Sequence, residues 1–122
     1  MNLVRSKILV VEDDLADLMT TVVGMELRDY DLLSCTSGAE AVLIASAYRD
    51  EIALVMMDLM LPSLPGTEAI KRIRKFMPNV PILAMTAYGD RMRAPAMEAG
   101  ASAFVIKDDP FEVAKRAREL LK

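Results

Sequence analysis

Short apolar runs, each followed at once by polar residues, recur along this chain. Four of them are residues 8–11 before Glu12-Asp13-Asp14, residues 53–57 before Asp58, residues 81–85 before Thr86, and residues 103–106 before Lys107. A weaker run covers residues 31–35. Short runs of this kind, separated by helical patterns, predict the strands of a parallel sheet that is covered on both faces. Because all strands of such a sheet end at one edge, the acids, the hydroxyl and the amine are expected to converge there.

Apolar residues at helical spacing predict a helix after each strand. The first is expected over about residues 14–28. Ser37, with Glu40 three residues later, has the form of a capping box that opens the second. Gly66-Thr67 leads into the third, which Pro78 ends. Five strands alternating with five helices, with no repeat or linker, predict one doubly wound α/β domain over residues 1–122.

Prolines mark the last two predicted helices. The fourth is expected over about residues 90–100, and Pro95 inside it predicts a helix that is short, bent or mobile. Asp109 is the predicted N-cap of the fifth, with Pro110 in the first helical position. The buried stripe of this last helix is expected to include Phe111.

Composition narrows the class of protein. The chain has 122 residues, of which 53% are hydrophobic and 27% charged, and this suits one compact domain. A net charge of -3 argues against direct binding of nucleic acid, which needs clustered Lys and Arg. No apolar stretch reaches the roughly 20 residues that span a bilayer, and no signal peptide is recognisable, so the expected location is the cytoplasm.

The chain contains no histidine and one cysteine, Cys35. A histidine-based general base, a phosphohistidine carrier and a His-ligated zinc site are therefore excluded for this chain. Any histidine that takes part in its chemistry must belong to a partner. Cys35 is interpreted as a buried, inert thiol on a strand.

The residues at the strand ends carry a resemblance to a known family. The stretches are Leu9-Val10-Val11-Glu12-Asp13, Met57-Asp58-Leu59-Met60-Leu61-Pro62, Leu64-Pro65-Gly66, Met85-Thr86-Ala87 and Phe104-Val105-Ile106-Lys107. In this order and at this spacing they resemble a response-regulator receiver domain of two-component signalling, over essentially the whole chain. The resemblance implies a CheY-like, flavodoxin-like fold with strand order 2-1-3-4-5.

The resemblance also implies an aspartyl-phosphate site. Asp58 would be the phosphoacceptor, because a carboxylate can attack phosphorus without a general base. A Mg²⁺ or Mn²⁺ ion would be held by Asp13, by Asp58 and by the main-chain carbonyl of Met60, with Glu12 as a ligand through water. Asp14 is interpreted as a helix-start residue.

Three further residues receive roles from the family pattern. Lys107 would contact a phosphoryl oxygen, or would form a salt bridge to the acidic cluster in the unphosphorylated state. Thr86 would donate a hydrogen bond to another phosphoryl oxygen and shift towards it. Phe104 is either plain core or a switch residue that turns inward into the vacated space and biases the face formed by the fourth helix, the fifth strand and the fifth helix.

Met60 and Tyr88 follow Asp58 and Thr86 by two residues. Their side chains are expected to lie near the path of water to the acyl phosphate, so their bulk should slow its hydrolysis. A comparatively long-lived phosphorylated state is the resulting expectation.

The favoured function is a signalling protein that takes a phosphoryl group from a histidine kinase or phosphotransfer protein and then binds a downstream protein. It would be no enzyme beyond its own phosphorylation and slow dephosphorylation, and a monomer or weak homodimer. A stand-alone receiver is expected, although one excised from a larger transcription factor or hybrid kinase has the same sequence pattern. A phosphorylation-independent binding module is the main alternative. A flavodoxin-like cofactor binder and a dehalogenase-like phosphatase fit the residues after the first strand poorly.

Overall fold

The computed structural model describes residues 5–14 and 18–122, which form one parallel sheet between two helical layers. The strand order is β2-β1-β3-β4-β5, as the family resemblance implies. The strands are β1 Lys7–Val11, β2 Asp31–Cys35, β3 Ile52–Asp58, β4 Ile82–Thr86 and β5 Ala103–Ile106. All neighbouring strands pair in parallel, so they end at the same edge of the sheet.

Five α-helices are described in this part of the chain: α1 Leu18–Glu26, α2 Gly38–Ala47, α3 Gly66–Phe76, α4 Arg93–Ala99 and α5 Pro110–Leu120. Buried residues of α1 and α5 pack on one face of the sheet. Buried residues of α2, α3 and α4 pack on the other face. The strands therefore bury both faces, which explains why their sequences are nearly continuous apolar runs.

Side chains on alternate positions of each strand supply the two cores. In β1, Ile8 and Val10 face α1 and α5, whereas Leu9 and Val11 face the opposite layer. All four are completely buried. This alternation follows from the two-residue period of a strand, and it fixes the register of β1 in the middle of the sheet.

Two predicted helix starts are confirmed. Ser37 is the N-cap of α2, and its hydroxyl accepts a hydrogen bond from the Glu40 backbone amide at 3.2 Å. Asp109 is the N-cap of α5, and its side chain accepts from the Phe111 amide at 3.0 Å, with Pro110 opening the helix. Both caps satisfy amides that have no partner inside the helix.

Two helix predictions need correction, the start of the fourth helix and the burial of Phe111, whereas the fourth helix is short, as Pro95 predicted, with 7 residues. The chain from Asp90 to Met92 is a 3-10 turn, so α4 begins only at Arg93. Pro95 therefore lies in the first turn, where a missing amide hydrogen breaks no helical bond. Phe111 is 60% exposed and does not join the buried stripe, because it lies in the first turn of α5, beyond the end of β5.

The predicted start of the first helix, near residue 14, can be compared with the structure only in part. Asp14 is not helical, and α1 is described from Leu18. The intervening residues 15–17 lie outside the described part of the chain. Within residues 5–14 and 18–122, none of the helices has the length and apolar character that crossing a membrane requires.

Candidate functional site

The carboxyl edge of the sheet brings the predicted polar residues together. Asp58 and Thr86 are the last residues of β3 and β4, and Glu12 and Lys107 follow β1 and β5 directly. The backbone fixes this arrangement, because the Lys107 amide donates to the Thr86 carbonyl at 2.7 Å. The Glu12 amide donates to the carbonyl of Cys35 at 3.1 Å. Strand pairing, and not the side chains, therefore sets the positions of these residues.

Asp58 is held by both of its carboxylate oxygens. Oδ1 accepts a hydrogen bond from the backbone amide of Met60 at 2.9 Å. Oδ2 accepts from Nζ of Lys107 at 2.8 Å. The residue is only 3% exposed, so these two donors replace most of the water that a carboxylate would otherwise bind. A buried carboxylate with fixed orientation at the mouth of a sheet is suited to act as a nucleophile.

Lys107 forms a second ion pair, with Oε2 of Glu12. Its ammonium thus lies between two buried carboxylates, and the predicted salt bridge to the acidic cluster is present. Burial by itself lowers the pKa of Lys107, but the hydrogen bonds and negative charge of Asp58 and Glu12 outweigh it and raise that pKa above its usual value. The lysine is therefore a permanent cation in this site.

Glu12 is not fully compensated by positive charge, because Lys107 forms ion pairs with both Glu12 and Asp58. Burial raises the pKa of Glu12 to about 7, the Lys107 ammonium opposes this, and the nearby Asp58 carboxylate adds to the rise. The side chain of Glu12 is almost fully buried, with 2% of its surface exposed. The site therefore has one positive charge, on Lys107, for the two buried carboxyl groups of Glu12 and Asp58.

A cluster of oxygens at this edge could supply the missing charge by binding a metal ion. Carboxylate oxygens of Glu12, Asp13 and Asp58 lie within 4.8 Å of one another. Asp13 is exposed and the other two residues are buried, so an ion would enter the site from solvent on the side of Asp13. An all-oxygen donor set of this kind fits a hard divalent cation such as Mg²⁺.

Thr86 is completely buried at the end of β4. Its Oγ1 accepts a hydrogen bond from the backbone amide of Tyr88 at 3.1 Å. Because the hydroxyl acts as acceptor in this bond, its own proton is free to be donated to an oxygen near Asp58. The register pairs Asp58 with Met85, which places Thr86 one residue beyond Asp58 on the neighbouring strand.

Met60 and Tyr88 lie at the mouth of the site. Met60 is 49% exposed and Tyr88 66% exposed. Both side chains line a groove of about 390 Å³ that also involves Met92. Their backbone amides hold Asp58 and Thr86, so the two bulky side chains are attached directly to the groups that would do the chemistry.

Phe104 lies on β5, on the same face of the sheet as Thr86. Its strand partner is Ala84, two residues before Thr86. The ring is 2% exposed and belongs to the core beneath α2, α3 and α4. Its burial agrees with the interpretation of Phe104 as a core residue, and its role as a switch stays a prediction.

Some features of the site were not predictable from residue types. The backbone amides of Met60 and Tyr88 carry no sequence signal, yet each one orients a functional side chain. The ring of Phe104 lies 4.7 Å from the guanidinium carbon of Arg93, a residue that no motif marks. Gly66 was noted only as a motif residue, and the structure shows that its closeness to the Asp58 backbone leaves no room for a side chain.

Comparison with known proteins agrees with this geometry. Residues 8–118 match the family model described as "Response regulator receiver domain". The chain is 35% identical over 123 residues to the "Transcriptional regulatory protein CpxR homolog" of Haemophilus influenzae, with 96% of this chain and 51% of the relative covered. The chain thus spans about half the length of the curated relatives it matches.

Solved structures show the same fold. A putative response regulator from Chloroflexus aurantiacus is 28% identical with a TM-score of 0.80, and the match covers 97% of this chain and 98% of that one. Chemotaxis protein CheY4 from Vibrio cholerae is 23% identical with a TM-score of 0.82, covering 97% and 100% of the two chains. Together with the acidic pocket, the family match over most of the sequence shows that this chain belongs to the response regulator receiver domain family of two-component systems.

Proposed function

We propose that this receiver domain accepts a phosphoryl group on Asp58 from a phosphohistidine of a histidine kinase or phosphotransfer protein. The observation that carries the proposal is the state of Asp58 itself, a buried carboxylate with one oxygen on the Met60 amide and the other on Lys107. Because the chain has no histidine, the donor imidazole must come from the partner. Beyond its own phosphorylation and slow dephosphorylation, the domain would catalyse no reaction.

The transfer needs positioning more than covalent chemistry. One carboxylate oxygen of Asp58 forms the new P–O bond, while the P–N bond to the donor imidazole breaks and the imidazole leaves with its electron pair. The Lys107 ammonium would neutralise charge on one phosphoryl oxygen, and the Thr86 hydroxyl would donate to another. Both groups already lie at the edge where the phosphoryl group would sit.

Asp13, Asp58 and the main-chain carbonyl of Met60 would hold a Mg²⁺ or Mn²⁺ ion, with Glu12 as a ligand through water. The closeness of the three carboxylates supports this part of the proposal. When bound, the ion supplies positive charge that draws carboxylate and phosphoryl oxygens together. Lys107 keeps the carboxylates in place when no ion is bound.

The output is proposed to pass through Thr86 and Phe104 to the face formed by α4, β5 and α5. Thr86 and Phe104 lie on one face of adjacent strands, so a shift of the hydroxyl towards a phosphoryl group changes the packing beside the ring. Phe104 has no hydroxyl, so it would act through its shape alone. A downstream protein that binds this face would sense the change.

The test is intact-mass measurement after incubation with acetyl phosphate, with and without Mg²⁺, on the wild type and on Asp58→Asn. We expect the wild type to gain one phosphoryl group only with Mg²⁺, and the variant to gain none. Asp108→Asn serves as a matched control, because Asp108 is an exposed acid next to Lys107.

Two results would contradict the proposal. A gain that persists in Asp58→Asn would place the acceptor elsewhere. No gain in the wild type, with acetyl phosphate or with a phosphorylated histidine phosphotransfer protein, would favour a phosphorylation-independent binding module.

A further inference from the structure

Arg93 connects the switch residue of the proposed function to the helix beside it. Arg93 is the first residue of α4, and its guanidinium carbon lies 4.7 Å from the centre of the Phe104 ring on β5. Its Nε also donates to Oδ1 of Asp90 at 2.8 Å in an exposed ion pair. An arginine over an aromatic face is attracted by the negative charge of that face.

Besides Arg93, the N-terminal end of α4 is held by Met92, whose half-buried side chain packs against the core beneath α2, α3 and α4. The helix is 7 residues long, and its N-cap residue Met92 provides no side-chain hydrogen bond. Its only buried residues are Ala96 and Ala99, whose small side chains bury little apolar surface. So short a helix is not stable by itself, and its position must depend on tertiary contacts.

The two ends of α4 are held very differently. At the C-terminal end, Arg74 of α3 donates to the Gly100 carbonyl from Nε at 3.1 Å and from Nη2 at 2.6 Å. At the N-terminal end, the exposed side chain of Arg93 lies over Phe104 of β5, and the half-buried Met92 packs against the core. The N-terminal end is also the one that follows Thr86 and Tyr88 along the chain.

We propose that Arg93 is a positioning residue that ties Phe104 to the N-terminal end of α4. While the guanidinium lies over the ring, it holds the ring in its inward position and keeps the first turn of α4 against β5. Any displacement of Phe104 is then passed on to α4. The regulatory meaning of this coupling rests on the proposed function, whereas the coupling itself exists in the unphosphorylated protein.

The first test measures amide hydrogen exchange by NMR in unphosphorylated, metal-free protein. The informative amides are those of Met97, Glu98 and Ala99, whose helical acceptors are the carbonyls of the first turn. We expect Arg93→Met to speed their exchange by about twofold to tenfold, because it removes the charge and keeps most of the apolar stem. Arg93→Lys should restore part of the protection.

Arg91→Met is the matched control, because Arg91 is an exposed arginine two residues away that does not lie over the ring. It should leave these exchange rates unchanged. The Phe104 ring resonances should also move in Arg93→Met and not in Arg91→Met. With only three phenylalanines in the chain, these signals can be assigned.

The second test asks whether the contact works through the ring. Phe104→Leu should speed exchange in α4 as Arg93→Met does, and the double variant should add nothing further. Exchange in α3 serves as the reference for any general loss of stability. Equal rates in Arg93→Met and Arg91→Met, or additive effects of Arg93→Met and Phe104→Leu, would overturn the proposal.

Failure of the proposed function would look different. In that case acetyl phosphate and Mg²⁺ would give no phosphoryl gain by mass, while the exchange results in unphosphorylated protein would still decide the role of Arg93.

Discussion

At the scale of single residues, the site is governed by a shortage of positive charge. Lys107 is shared between Glu12 and Asp58, and all three side chains are nearly buried. Two carboxylates that share one ammonium cannot both be ionised without cost. Glu12 is the residue that protonates more readily, because burial raises its pKa to about 7.

This shift predicts how stability depends on pH. The folded pKa of Glu12 lies above its ordinary value of 4.5. The protonated side chain therefore contributes stability that is complete below about pH 4.5 and is lost as the pH rises through about 7. In metal-free protein kept in EDTA, the free energy of unfolding should fall between about pH 5 and pH 8 more steeply than in Glu12→Gln. Urea unfolding at several pH values measures both slopes.

The control for this comparison is Glu98→Gln, which changes an exposed acid on α4. Its pH dependence should match that of the wild type. If Glu12→Gln and the wild type have the same slope, then the buried carboxyl group does not titrate as described.

Met60 and Tyr88 lead to a prediction on the lifetime of the phosphorylated state. Both are large, exposed and at the mouth of the site, so they should obstruct water that approaches the acyl phosphate. In the double variant Met60→Asn with Tyr88→Ala, hydrolysis should be faster by roughly three- to tenfold, equivalent to about 0.7–1.4 kcal/mol of barrier. Intact-mass measurement after removal of the phosphodonor gives the rate.

Met97→Asn is the matched control, because Met97 is 43% exposed and lies on α4. It should decay at the rate of the wild type. A double variant that decays no faster than this control would show that the two side chains do not shield the phosphoryl group.

At the scale of secondary structure, the link between β3 and α3 determines where Asp58 points. A Cβ atom added to Gly66 would lie 2.3 Å from the carbonyl oxygen of Asp58 and 2.7 Å from the Cα of Leu59. No side-chain rotation relieves a contact with backbone atoms. The start of α3 can pack this close to the end of β3 only because residue 66 is glycine.

Gly66→Ala should therefore destabilise the protein by about 3 kcal/mol, at the upper end of overpacking effects. It should also weaken phosphorylation, because the backbone that carries Asp58 must move. Gly24→Ala in α1 is the matched control, since its added Cβ would meet only Leu32 Cδ1 at 3.6 Å. That change should be neutral or stabilising by up to about 1 kcal/mol. Equal urea midpoints for the two variants would contradict the claim that residue 66 must be glycine for α3 to pack against the end of β3.

Arg74 provides the second prediction at this scale. Its guanidinium donates to the carbonyls of Met77 at 3.0 Å, Val80 at 2.6 Å and Gly100 at 2.6 Å, and so joins the end of α3, the segment before β4 and the end of α4. Arg74→Met should lower the free energy of unfolding by roughly 2–4 kcal/mol, because three carbonyls lose a charged donor.

Arg72→Met on the same helix tests whether the effect belongs to this hydrogen-bond network. Arg72 forms an exposed ion pair with Glu68 at 3.3 Å, and its loss should cost less than about 0.5 kcal/mol. Similar losses for both arginine variants in urea unfolding would show that the bonds of Arg74 add little stability.

The sequence predicted elements well where their signals are local. The β2 run over residues 31–35 and the caps at Ser37 and Asp109 are confirmed, because each depends on neighbouring residues. The predictions of where α4 starts and of a buried Phe111 were wrong, because both features depend on where a helix lies against the sheet. The contact between Arg93 and Phe104 joins two elements through tertiary packing, so no local pattern could show it.

At the scale of the whole molecule, folding itself assembles the candidate metal site. Asp13 follows β1 and Asp58 ends β3, and these strands pair only in the folded sheet. The unfolded chain therefore offers no such cluster of oxygens. A ligand that binds the folded state alone stabilises it by mass action, by about 1.4 kcal/mol at ten times its dissociation constant.

Mg²⁺ should accordingly raise the urea midpoint of the wild type, at a fixed pH of about 7.5 where Glu12 is largely ionised. Asp13→Asn should remove most of this gain, because the exposed carboxylate that faces an incoming ion is lost. Asp108→Asn should keep the gain, although it removes the same charge from an exposed position near the site. If Mg²⁺ stabilises Asp13→Asn as much as Asp108→Asn, the ion acts through general charge screening, and the cluster of Glu12, Asp13 and Asp58 is not its site.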